Sequence, residues 1–149
     1  MTTIIGSKVV VSLIERQIAT QAISEASTII YTTIANMFYC NNVHRVIMEL
    51  DVVQKIKTLE DVCNMLTSEN LDENKNNVIN VCLDSIHDMI IKIREDLKNI
   101  NIKLEKHKYR YFNTWRSPRV SKELKNLQTH CSILDQRYLL LVNSVRLFN

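Results

Sequence analysis

The chain has 149 residues, 46% hydrophobic and 23% charged, ordinary proportions for one globular domain with a sizeable core. One glycine (Gly6) and one proline (Pro118) argue against a sheet protein, whose tight turns need positive-φ residues, and against a glycine loop cradling a nucleotide phosphate. The formal charge of +3 is unevenly spread: residues 1–75 hold 6 Lys+Arg against 9 Asp+Glu, and residues 76–149 hold 13 against 7.

So few chain breakers leave room only for few, long elements, and long elements in a small domain are helices. The expectation is an all-α, single-domain bundle (1–149) of about four helices. The first runs over about 8–40, where Val11, Ile14, Ile18, Ala22, Ala26, Ile30, Ile34 and Met37 recur at three- and four-residue steps. From Ala26 to Val43 it carries no charge, so this helix is expected to be enclosed by neighbours or by a partner, with Ala26, Ile30, Ile34 and Met37 as the interaction face. Ser27, Thr28, Thr32, Thr33 and Asn36 in that stretch argue against a membrane span.

Asn41-Asn42 reads as a turn, followed by a helical region over about 43–67 with Val46, Leu50, Val53, Ile56, Leu59, Cys63 and Leu66 on one side. Thr58-x-x-Asp61 has capping-box spacing and would divide that region into two short helices. Residues 68–77 are the most polar stretch and read as a surface loop, with Asp72 as a helix cap. A third helix over about 76–113 shows a strict 4-3-4-3 alternation: Ile79, Leu83, Ile86, Ile90, Ile93, Leu97, Ile100 and Leu104, extended by His107 and Tyr111. That heptad seam wants a partner helix at a shallow angle, and the helix would span roughly 57 Å. A fourth, over about 118–148, places Val120, Leu124, Leu127, Cys131, Leu134, Tyr138, Leu141, Val145 and Phe148 inward, with Ser117 capping and Pro118 opening it. The short connection makes the last two helices a long C-terminal antiparallel hairpin.

Catalytic motifs are lacking: no G-x-S-x-G, no H-E-x-x-H. Asp84-x-x-His87 has di-iron-like spacing but lies off the apolar seam, and reads as a solvated face. His130 and Cys131 are consecutive on a helix, about 100° apart, and unsuited to joint chelation. No metal, cofactor or small-molecule substrate is expected. Cys40, Cys63, Cys82 and Cys131 form no C-x-x-C pair and read as small buried hydrophobes in a reducing compartment. With neither signal peptide nor lipidation motif in view, the expectation is a cytoplasmic protein.

The charge excess gathers at the hairpin tip. Between Lys103 and Lys125 stand eight bases and two acids, interleaved with Tyr109, Tyr111, Phe112 and Trp115. Lys106, Lys108, Arg110, Trp115, Arg116 and Arg119 suit phosphate contacts with base stacking, and equally an anionic membrane surface. The alternative is that the aromatics pack the end of the bundle while the bases are solvated and complement the helix C-terminus.

Three stretches carry a resemblance: Glu49-Leu-Asp-Val-Val-Gln-Lys-Ile-Lys-Thr-Leu-Glu60, His107-Lys-Tyr-Arg-Tyr-Phe-Asn-Thr-Trp-Arg116 and Ile133-Leu-Asp-Gln-Arg-Tyr-Leu-Leu140. In these the chain resembles uncharacterised helical-bundle proteins of giant DNA viruses, and its richness in Ile (18) and Asn (15), residues with A+T-rich codons, is in keeping. The resemblance implies a viral helical protein, in host cytoplasm or virion, and brings no activity with it. The leading expectation is a non-enzymatic structural or interaction protein with a protein partner or a second copy of itself. The alternatives are nucleic-acid or anionic-surface binding at the tip, and membrane perturbation.

Overall fold

The strict seam of the third predicted helix makes the strongest demand on the fold, because it needs partners along its whole length. The computed structural model describes residues 2–37, 41–67, 73–108 and 119–147, all but a few of them helical. The helices are α1 (Thr2–Asn36), α2 (Asn41–Leu50), α3 (Val52–Thr67), α4 (Glu73–Lys108) and α5 (Ser121–Leu147). Every seam residue from Ile79 to Leu104 is at most 1% exposed, and His107 follows at 8%. α4 packs chiefly on α1 and α5, while α3 lies on α1 and α2 on α5. The α2–α3 pair thus closes a four-cornered bundle opposite α4, as the all-α expectation required.

Directions follow from side-chain pairs. Lys103–Glu123, Asp96–His130, Ser85–Arg137 and Cys82–Ser144 join α4 to α5 in reversed order, so these helices form the expected antiparallel hairpin. Tyr31 Oη donates to Glu60 Oε1 at 2.6 Å, while Gln17 and Thr20 share a recess with Asn64 and Thr67, so α1 and α3 are also antiparallel. Lys55 on α3 meets Asp135 on α5, between the Asp96–His130 and Ser85–Arg137 links, and only residues 68–72 separate Thr67 from Glu73, so α3 and α4 run in opposite directions. It follows that α1 and α4 run parallel, their first halves joined where Arg16 meets Asn76 and Asn80 meets Ser12.

Two local expectations are corrected. The break in the second region lies at Asp51, not at Thr58. Asp51 has φ 51°, its N–H donates to Met48 O, and its carbonyl accepts from Lys55 N, so it ends α2 and opens α3. Asp tolerates this left-handed conformation better than most residues. Thr58 is mid-helix, its hydroxyl donating to Gln54 O. Asn41-Asn42 is the start of α2 instead of a turn before it. The expected cap at Ser117-Pro118 lies outside the described residues; among the described residues, Leu124 N donates to Val120 O at the start of α5.

The largest correction concerns α1. Ala26, Ile30 and Met37 are 2%, 0% and 6% exposed within the chain's own core, and Ile34 packs against it. The face expected to meet a partner already meets α3 and α4. Towards the N-terminus, Val11, Ile14 and Ile18 are about half exposed or more, and the buried side is Ser12, Arg16, Ala19, Thr20 and Ile23. Here the helix turns polar groups inward because α4 presents Asn76, Asn77 and Asn80 as acceptors and donors. The uncharged stretch is not enclosed all round either: Thr28 and Thr32 are exposed, and their hydroxyls donate back to the carbonyls of Ser24 and Thr28. A helix whose hydroxyls satisfy themselves on its own backbone can face water without charges.

Candidate anion-binding site at the end of the α4–α5 hairpin

Lys103, Lys106 and His107 stand at i, i+3 and i+4 on the last two turns of α4, so they share one face of the helix. Arg119 precedes α5 and meets them across the hairpin. These four residues line a recess of about 320 Å³, and no acid lines it among the described residues. His107 is 8% exposed, whereas Lys106 and Arg119 stand in solvent. Lys103 is hydrogen-bonded to Glu123, a carboxylate on the first turn of α5 whose side chain is only 12% exposed. That bond, above all, holds the Glu123 carboxyl below the usual carboxylate range. Lys122 and Lys125 extend the cationic surface along α5.

Of the residues expected at a contact site, Lys106 and Arg119 come together in this recess, and Lys108 is exposed one residue beyond its α4 wall. Arg110, Trp115 and Arg116 lie outside the described residues, as do Tyr109, Tyr111 and Phe112. Lys103 and His107 join the site, although sequence reasoning had left His107 to the seam and Lys103 to the general charge. Their i, i+3, i+4 spacing with Lys106 was the available signal. Glu123 gave none, since its partner is twenty residues away.

His130 Nδ1 and Asp96 Oδ2 are hydrogen-bonded between α4 and α5; burial raises the Asp96 carboxyl above its ordinary value, and the His130 bond opposes this. Cys63, Cys82 and Cys131 are buried free thiols, and burial pushes Cys63 and Cys131 up to about 12, which leaves them unreactive. Cys40 lies outside the described residues. Among the described residues, no group of three or more His, Cys, Asp or Glu side chains could hold a metal ion, and no helix is long and apolar enough to cross a membrane.

A curated protein of Acanthamoeba polyphaga mimivirus, itself uncharacterised, is 26% identical over 121 residues, an alignment covering 65% of this chain and 59% of that protein. The chain resembles a giant-virus protein. It spans about three-fifths of that relative's length, and the relative's name carries no activity. No family model matches the chain, and no solved structure matches it.

Proposed function

We propose that this chain is a non-enzymatic helical scaffold, working in a host cytoplasm or a virion, that holds a nucleic-acid phosphate backbone at the basic end of its α4–α5 hairpin. The observation that carries the reading is the recess lined by Lys103, Lys106, His107 and Arg119, three permanent cations and a histidine converging from two helices. Cations brought together from two packed helices present a preformed concentration of charge to a phosphate. A docking role for the Ala26–Met37 face loses its footing, because those residues are enclosed by the chain itself.

The distribution of apolar surface favours nucleic acid over membrane. Val10, Val11, Ile14, Ile18, Val78 and Val81 are exposed in the first halves of α1 and α4, and Leu147 at the end of α5. With α1 and α4 parallel and α5 reversed, all of these lie at the end of the bundle away from the recess. Near the basic end only Ile102 and Met48 among the described residues are large, apolar and exposed. Membrane surface binding places apolar and basic groups side by side; among the described residues most of the exposed apolar groups stand away from the basic end.

The test is titration of a labelled single-stranded oligothymidylate over a salt series. Affinity should fall steeply with salt, and a Lys106→Glu, Arg119→Glu variant should flatten the log–log slope by about 1.4, two phosphate contacts at about 0.7 each. Binding that is undetectable, or indifferent to salt, would sink the proposal. Binding to anionic vesicles but not to the oligonucleotide would transfer the site to a membrane surface.

A further inference from the structure

Lys103 has two claims upon it. It lines the recess, and it is also hydrogen-bonded to Glu123 on the facing helix. Glu123 is mostly shielded, its carboxyl is held ionised chiefly by that bond, and its second oxygen, Oε2, is buried with no hydrogen-bond partner. Burial alone would disfavour this charge, so it is the Lys103 bond first, and then the backbone at Glu123 and the nearby lysines, that hold the carboxylate in place. It takes one of the three N–H donors of Lys103 and balances its charge, so a phosphate must compete with it for that ammonium.

Resting on the phosphate-binding reading above, we propose that Glu123 is the internal competitor of this site: a phosphate gains Lys103 only by displacing the Glu123 carboxylate. In the wild type Lys103 stays closed on Glu123 and the ligand has Lys106 and Arg119; where the pair opens, Lys103 joins them. Glu123 thereby sets both the affinity and the number of cations that a nucleic acid can recruit. An incoming phosphate must compete for Lys103 with a carboxylate tethered at hydrogen-bond distance.

Glu123→Gln tests this. The amide keeps the shape and a hydrogen-bonding oxygen on the first turn of α5 but surrenders the charge that retains Lys103. With the same oligothymidylate, the variant is expected to bind more tightly, and its log–log salt slope should steepen by about 0.7, one further phosphate contact. The double variant Lys103→Gln, Glu123→Gln should return the slope to the wild-type value. Circular dichroism confirms that each variant is folded before it is titrated. An unchanged or weaker affinity in folded Glu123→Gln overturns the competitor role, and does so without touching the wider reading if Lys106→Glu, Arg119→Glu still flattens the wild-type slope by about 1.4. Absence of salt-dependent binding in the wild type overturns both.

Discussion

Asp51 stands in the left-handed region at φ 51°, where a side chain beyond Cβ is a burden that glycine lacks. Asp51→Gly is expected to leave stability unchanged or raise it by up to about 1 kcal/mol, and Asp51→Val to lower it, in urea unfolding monitored by circular dichroism. Asp96 and Glu123 have opposite signs in acid. The folded chain holds the Asp96 proton more tightly than the unfolded one, so its contribution is present below the ordinary value of 3.8 and is lost as pH rises through its raised folded value. Glu123 is displaced downward, so its contribution is present above the ordinary 4.5 and is lost as pH falls through its lowered folded value. On acidification from neutral pH, the stability of wild type relative to Asp96→Asn should therefore grow, and relative to Glu123→Gln should shrink. Paired urea titrations at neutral and acid pH read both. A trend in the same direction for the two variants would refute the assignment.

Elements with one apolar stripe were legible from their spacing, and α4 is the clearest case. Ile79 to Leu104 gave the seam residue by residue because a 3.5-residue repeat of branched aliphatics has one way to hide from water. α1 misled because it carries two stripes in its first half. Val11, Ile14 and Ile18 have the right step and the right chemistry, yet the buried side contains Ser12, Arg16 and Thr20. Periodicity assigns the apolar stripe to the core by default; only the asparagines of α4, 60 to 68 residues on, make the polar stripe the inner one. Arg16→Ala should thus cost about 3 kcal/mol or more, by removing a large buried side chain and its bond to Asn76. Ile14→Lys and Ile18→Lys should each stay within about 0.5 kcal/mol. The reverse ranking in denaturant midpoints would turn α1 round. The site shows the same division: Lys106 and Arg119 were legible as local charge, while the Glu123 bond, made across the hairpin, depended on the fold.

For the molecule as a whole, burial of Ala26 and Ile30 changes what a charge there would do. On an interface, Ala26→Glu would dissociate a folded oligomer. In the core it leaves a carboxylate without water, at a cost of several kcal/mol, so the expected result is loss of the cooperative thermal transition. Light scattering alongside a melting curve distinguishes the two, since dissociation would give a smaller particle that still melts cooperatively.

The parallel course of α1 and α4 also bears on the route by which the bundle assembles. Links between α4 and α5 begin at a sequence separation of 20, whereas those between α1 and α4 lie 60 to 68 residues apart. Closing the shorter loop costs less chain entropy, so the hairpin is the natural nucleus and α1 docks on a surface already made. Truncations at Leu97 and Leu127 should slow folding, whereas Ile23→Val should chiefly speed unfolding. A chain still emerging during synthesis would then hold its first helix unpaired until α4 has followed, with the inward polar stripe of α1 keeping that waiting segment hydrated.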